Sequence, residues 1–466
     1  MRRFVPLTLL AVLTLALGAA ARLTSPPQPG HGGGHASASG DLDLEVQLDR
    51  SSVLEGGDGV VRAELVLRGH AIDDFAPPRS DTDLLVVLDR SGSMQGQPLA
   101  TALGATRELV SQLADGDRFA LVSYASGASV DIGFEAASPG SRNRWLARLD
   151  RIAAGGGTDL ASGLDRAHGL LDAAGRRGRT VRVIVLSDGL ANQGDHSLSG
   201  LRRRAARAVA GEYVLSAVGI GDGFDETVMG ALADAGTGNF YYLSDLERLA
   251  GVFAREFEAA RATVARALRV VLETAPGVRL ASAGGYPLQH ESGRVSFRPG
   301  DLFAGQERRV WLTLHVPTGE PGPVALGALR VDFSNADGEP GRVALSALPQ
   351  LACVEREDDY YASFDPDAYR RGNLSDSLGA LKQSVAKLVK EGRQDEAVAE
   401  VEAYRAEKRD ESVRALGFAI AEEEAELDVL QDAVAAPAAA EPEARNRLGK
   451  SLLESGRDAQ RAGAKK

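Results

Sequence analysis

The sequence predicts an α/β fold: a mostly parallel, doubly wound sheet with helices on both faces, flanked by a β-sandwich and followed by a C-terminal helical region. Three observations carry this. From Leu84 to Val264, continuous apolar runs alternate with amphipathic stretches, as strands buried on both faces and their crossover helices require. From Leu268 to Leu348, short apolar runs are separated by Gly, Pro and Asn, the spacing of sandwich strands. From Phe364 to Val434 the chain turns helical and becomes rich in Ala and Glu.

Arg2 and Arg3 precede an apolar run from Phe4 to Leu17 and the small residues Gly18–Ala21. That order predicts a signal peptide over 1–21; an uncleaved membrane anchor is the alternative. Residues 22–40 have the Gly-, Pro- and Ser-rich composition of a flexible linker. Within 41–80, Asp43–Asp49 and Val60–Leu67 alternate polar and apolar residues, as half-buried strands do. Two strands alone are marginal in water, so they are expected to join the later strands in one sandwich.

The α/β domain is expected over 81–264. Its buried strands are Leu84–Leu88, Phe119–Tyr124, Val181–Leu186 and Tyr213–Val218, with shorter ones at Ser129–Phe134 and Phe240–Tyr242. Helices are expected at Pro98–Leu113, Arg142–Ile152, Leu160–Ala173, Leu201–Ala210, Asp225–Ala235 and Leu246–Val264. In the last of these, Leu246, Leu249, Val252, Phe253 and Phe257 form an apolar stripe at helical spacing. The β-sandwich is expected over 265–356, the helical region over 357–434, and a linker with a charged tail over 435–466.

The 466 residues carry a net charge of −12, with 44% hydrophobic and 25% charged side chains. This is ordinary globular composition, and it argues against a nucleic-acid surface, which needs a basic patch. Cys353 is the single cysteine, so no intramolecular disulfide contributes to stability.

Chemistry concentrates where strands end. In open α/β sheets, ligands bind outside the carboxyl ends of the strands. The first buried strand runs into Asp89-Arg-Ser-Gly-Ser-Met94, where alternate positions let Asp89, Ser91 and Ser93 face one point. A second strand runs into Ser187-Asp188-Gly189, and Gly-Gly-Thr158-Asp159 opens a helix between them. Two carboxylates and three hydroxyls make the all-oxygen set that Mg²⁺, Mn²⁺ or Ca²⁺ selects. Without a cluster of Cys or His, zinc is disfavoured. Taken singly, each motif is equally an ordinary turn or helix cap; together, beside strand and helix starts, they point to metal.

These three motifs resemble the metal-ion-dependent adhesion site of von Willebrand factor A domains, a Rossmann-like family, over Asp81 to Val264. Asp301-Leu-Phe-Ala-Gly-Gln-Glu-Arg-Arg-Val-Trp-Leu, in the flank, resembles bacterial relatives of inter-alpha-trypsin inhibitor heavy chains. The resemblance implies that Ser91 and Ser93 coordinate directly, that Thr158 does so in the tight-binding arrangement, and that Asp89 and Asp188 balance charge. It further implies that a partner's Glu or Asp completes the shell, and that the final helix moves as the site switches.

Enzymatic readings lack their parts. No Gly-x-Ser-x-Gly elbow, His-Glu-x-x-His or phosphate-binding Gly-Lys-Ser/Thr is expected. His168 and His196 stay open as bases for a metal-dependent hydrolase, and a scaffold with a purely structural metal is a second alternative. The expectation is an exported, non-enzymatic module (periplasmic, envelope-bound or secreted) that binds a protein carboxylate through metal. Membrane contact is expected only if the leader stays uncleaved.

Overall fold

The computed structural model describes residues 35–40, 42–70, 81–175, 179–243, 246–335, 337–436 and 441–461. The expected signal peptide, most of the linker and residues 71–80 lie outside them. Among the described residues no helix is long and apolar enough to cross a membrane.

Among the described residues the first strands are β1 (His35–Ser39), β2 (Leu42–Leu48), β3 (Ser52–Leu54) and β4 (Val60–Gly69). The α/β domain then contributes β5 (Thr82–Asp89), β6 (Arg118–Tyr124), β7 (Ala128–Ala136), β8 (Thr180–Ser187), β9 (Val214–Ile220) and β10 (Thr237–Leu243). Its helices are α1 (Gln97–Gln112), α2 (Pro139–Leu149), α3 (Leu160–Ala173), α4 (Leu198–Ala205), α5 (Arg207–Ala210), α6 (Glu226–Ala235) and α7 (Leu249–Arg261).

The sheet order is β10-β9-β8-β5-β6-β7, parallel except for the antiparallel edge strand β7. Every residue of β5, β8 and β9 is buried, which is why these strands read as continuous apolar runs. Connection order reverses at β5, between β8 and β6, and the crevice above that point is where such sheets bind ligands. Helix α2 starts earlier than its apolar pattern suggests, because Ser138 and Ser141 form a capping box with Pro139 at the first turn. Helix α7 is shorter than the expected Leu246–Val264: it ends at Arg261 because Thr263 already belongs to the next strand. Leu249, Val252, Phe253 and Phe257 of its stripe are buried.

The sandwich strands follow as β11 (Thr263–Thr274), β12 (Arg279–Ala283), β13 (Gln289–Glu291), β14 (Arg294–Phe303), β15 (Glu307–His315), β16 (Gly322–Val324), β17 (Gly327–Asn335), β18 (Pro340–Leu345) and β19 (Leu351–Val354). One antiparallel sheet runs β1-β2-β4-β15-β12 and the other β13-β14-β11-β17-β18. Early and late strands therefore share a sheet, with Leu65 of β4 opposite Val310 of β15. Leu44 and Val46 of β2, Leu65 of β4 and Leu312 of β15 meet Val270 and Leu272 of β11 in one core. Residues 35–39, expected in the linker, form β1, because backbone pairing with β2 needs no apolar side chains.

The remaining helices are α8 (Glu357–Tyr361), α9 (Pro366–Gly372), α10 (Leu378–Lys390), α11 (Gln394–Leu416), α12 (Ala421–Ala435) and α13 (Pro442–Gln460). Residues 442–460, expected in a charged tail, form α13, which packs along α10 and reaches β10. Its buried positions include Lys450 and Gln460 beside Leu452, so its apolar period is short and easily read as a polar tail.

His168 sits inside the α/β core, 2% exposed, bonded to the Tyr213 hydroxyl. Burial pushes its imidazole down to about 4. The unfolded chain takes up this proton near pH 6.5 and the folded chain does not, so stability falls as pH drops from about 6.5 to about 4. A loss of up to about 3 kcal/mol across that window is expected. Urea denaturation at pH 7 and pH 4.5 checks it, and the His168→Gln variant should lose most of the slope.

Candidate metal centre

Asp89 is the last residue of β5 and is fully buried. One carboxylate oxygen accepts the Ser91 backbone N–H at 2.8 Å, and the other accepts the Ser187 hydroxyl at 2.8 Å. This fixes its orientation and bends the chain so that Ser91, Ser93 and the following one-turn helix Gly92–Met94 rise above the sheet. The Ser91 and Ser93 hydroxyl oxygens lie 3.1 Å apart, and Ser93 donates to Asp188 at 2.7 Å. Asp89, Ser91, Ser93 and Asp188 thus form one continuous cluster across the ends of β5 and β8.

Thr158 comes from the loop before α3. Gly156 has φ +87, where a Cβ would meet the Ser126 hydroxyl at 2.8 Å, so this bend favours glycine. The loop is tied to the first motif: Gly155 N–H donates to the Arg90 carbonyl and Gly92 N–H to the Gly156 carbonyl. Thr158 is anchored from the third motif, its N–H donating to Asn192 Oδ1 at 2.9 Å and its carbonyl accepting from Asn192 N–H at 3.0 Å. A Cβ placed on Gly189 would lie 3.2 Å from Ser93 Oγ and 3.8 Å from Thr158 Oγ1. Those hydroxyls therefore flank one point, beside Asp188. All five expected residues come together at one rim.

Sequence patterns did not single out Ser187 and Asn192, which orient the cluster. Both lie within four residues of Asp188, and a buried hydroxyl at a strand end was the available signal for Ser187.

Burial raises the Asp89 pKa, against the hydrogen bonds from Ser91 and Ser187. Burial also raises Asp188, with the nearby Asp89 charge acting the same way. Among the described residues neither carboxylate has an ion-pair partner. Two adjacent carboxylates drawn out of water without a cation are costly, and a divalent ion among hydroxyl oxygens is the charge this donor set suits. No group of three His, Cys, Asp or Glu side chains is placed for a metal among the described residues; the cluster here holds two carboxylates, and its other oxygens are hydroxyls.

His168 does not reach this rim. His168 is held by Tyr213, which precedes β9 at the opposite end of the sheet. His196 is exposed and contacts the Gly194 carbonyl. The tripeptide Gly449-Lys450-Ser451 lies within α13, with the Lys450 ammonium donating to two backbone carbonyls, so it is no phosphate loop.

Comparison with known proteins agrees with the fold. Residues 83–255 match the family model of the von Willebrand factor type A domain. The Synechocystis sp. protein sll0103 is 26% identical over 65% of this chain and 74% of its own length. Mouse inter alpha-trypsin inhibitor heavy chain 4 is 25% identical over 38% of this chain and 20% of its own. The solved structure of a von Willebrand factor type A protein from Catenulispora acidiphila superposes with a TM-score of 0.68 at 18% identity, covering 90% of this chain and 97% of that one. The α/β domain of this chain has the von Willebrand factor type A fold, and residues 83–255 match that family's model.

Proposed function

We propose that the protein is an exported binding module in which Asp89, Ser91, Ser93, Thr158 and Asp188 hold a divalent cation that captures a Glu or Asp carboxylate of a partner protein. The carrying observation is the pair of carboxylates without a cationic partner, joined through two serine hydroxyls. Mg²⁺ suits this hard-oxygen set, and Mn²⁺ or Ca²⁺ can replace it. When bound, the ion supplies uncompensated positive charge that attracts a carboxylate. Ser91 and Ser93 offer it lone pairs, Asp89 and Asp188 offset its charge, and Thr158 contributes a third hydroxyl. Export rests on the leader-like residues 1–21. The placement of His168 at the opposite end of the sheet, bonded to Tyr213, favours binding over hydrolysis.

Pull-down of partners with Mg²⁺, with chelator, and with Asp89→Ala tests the reading: capture should require both the ion and Asp89. Unfolding measured with and without chelator separates recognition from a purely structural metal, for which stability, not only capture, would fall.

A further prediction uses the space between the hydroxyls. Gly189→Val places methyl groups against Ser93 and Thr158, and metal affinity should fall about tenfold or more, a change of about 1.4 kcal/mol. Isothermal titration with Mn²⁺ checks it, and unchanged affinity would contradict the placement of Thr158 in the cluster.

A further inference from the structure

A second charged site lies where the α/β domain, the sandwich and the C-terminal helix meet. A narrow cavity of about 20 Å³ is lined there by Arg182 of β8, Arg308 of β15, Arg461 just after α13, Tyr286, Glu256 and Asp301. The three guanidiniums are deeply buried: Arg182 and Arg308 are 2% and 3% exposed, and the Arg461 side chain 10%. Guanidinium keeps its proton under all ordinary conditions; Arg182 is paired with Asp301 and Arg461 with Asp234, which leaves Arg308 as the lining guanidinium with no ion pair among the described residues.

The lining carboxylates are already engaged. Asp301 pairs with Arg182 Nη1 at 3.1 Å and accepts the Ala267 N–H at 3.0 Å. Glu256 Oε1 accepts Asn239 at 2.9 Å and Tyr241 at 2.7 Å. Arg461 turns toward Asp234 and stacks on Tyr286. Arg308 has no ion pair among the described residues and donates from Nη1 to the Pro299 carbonyl. The Nε–H groups of Arg182 and Arg308 are buried without a hydrogen-bond partner. An unsatisfied buried donor is costly, and more so on a charged group. Burial lowers the Arg308 pKa, and the charges of Arg182 and Arg461 act in the same direction.

We propose that this junction binds one monatomic anion, a halide and under ordinary conditions chloride, held by the Nε–H groups of Arg182 and Arg308. The volume suits a single water-sized body, which excludes phosphate, sulfate and carboxylate ligands. A water would accept both N–H groups and leave the buried Arg308 charge without a counterion; an anion answers both. The bound ion ties the base of β8, whose far end carries Ser187 and Asp188, to β15 of the sandwich.

Crystals of the full chain grown in sodium bromide test this by anomalous diffraction at the bromine edge. A peak at hydrogen-bonding distance from both Nε atoms is expected; a water there, or no peak, overturns the proposal. In solution, Tm should be higher by about 2–4 °C in chloride than in gluconate at equal ionic strength. Arg308→Met should abolish that difference. Equal Tm values for the wild type in the two salts would also overturn it, and should Arg308→Met not fold, the bromide experiment on the wild type decides.

Discussion

Replacing Asp89 by alanine should abolish divalent-metal binding, with affinity falling at least about 100-fold, or about 2.7 kcal/mol, and partner capture lost with it. The carboxylate is fully buried and faces Ser91 on one side and Ser187 on the other. Its removal takes away half the negative charge that a cation would meet. The cost to the metal-free fold should be small, because two opposing effects nearly cancel. The Ser91 N–H and the Ser187 hydroxyl lose an acceptor, which costs about 1–3 kcal/mol. A buried carboxylate without a cationic partner disappears, which offsets that cost. Asp188→Ala should act alike, with less change in stability because Asp188 is only half-buried. Calorimetric titration beside thermal unfolding on the same samples reads both quantities. Wild-type isotherms in folded variants would remove these residues from the site.

Lys450→Met should produce the largest loss of stability, about 3–5 kcal/mol, as expected when one partner of a buried charged network is removed. The Lys450 side chain is completely buried on α13. Its ammonium donates to the Asp222 carbonyl at 2.9 Å and the Phe224 carbonyl at 2.7 Å, and lies 3.8 Å from the centre of the Phe224 ring. Burial pushes its pKa down to about 8, so it remains mostly charged at pH 7. Methionine fills the volume and leaves both carbonyls buried without a donor. The effect should reach the metal centre, because the loop held by Lys450 packs on it: a Cβ on Gly223 would stand 2.7 Å from the Asp188 carbonyl. Metal affinity should therefore weaken in the folded variant. Chemical denaturation checks the stability, and a change below about 0.5 kcal/mol, typical of a surface position, would contradict this role for α13.

Helix α13 also marks where sequence patterns stop informing. Strands β5, β8 and β9 are legible because burial on both faces forces continuous apolar runs. Strands β2 and β4 are legible because their buried residues alternate along β2 and recur in the runs of β4. Helix α13 sets Leu448, Leu452 and Leu453 against the helical core, but much of its remaining contact is polar: Arg447 to Asp222 at 2.7 Å, Arg457 to Asp234 at 2.8 Å, and Lys450 to backbone carbonyls. Such a face has only a short apolar period, and its Lys and Arg content looks like a solvated tail. Strand β1 is hidden for a related reason, since its pairing with β2 is made by the backbone.

The cluster itself was the most legible part. Asp89, Ser91 and Ser93 follow one strand end and Asp188 another, and the sheet topology brings those ends together. Thr158 depends on more than its own motif, because Asn192 and the glycine loop set its position. The Arg182–Arg308–Arg461 junction was invisible in sequence. Its members lie on three separate segments, and each arginine alone reads as an exposed charge.

The most direct test is anomalous diffraction from crystals soaked in Mn²⁺, recorded on both sides of the manganese edge. One strong peak is expected among the Ser91, Ser93 and Thr158 hydroxyls and the Asp89 and Asp188 carboxylates, displaced by excess Mg²⁺ and absent in Asp89→Ala. Saturating Mn²⁺ with no peak at that rim, or a peak that persists in the folded Asp89→Ala variant, would contradict the assignment of this cluster as the metal centre.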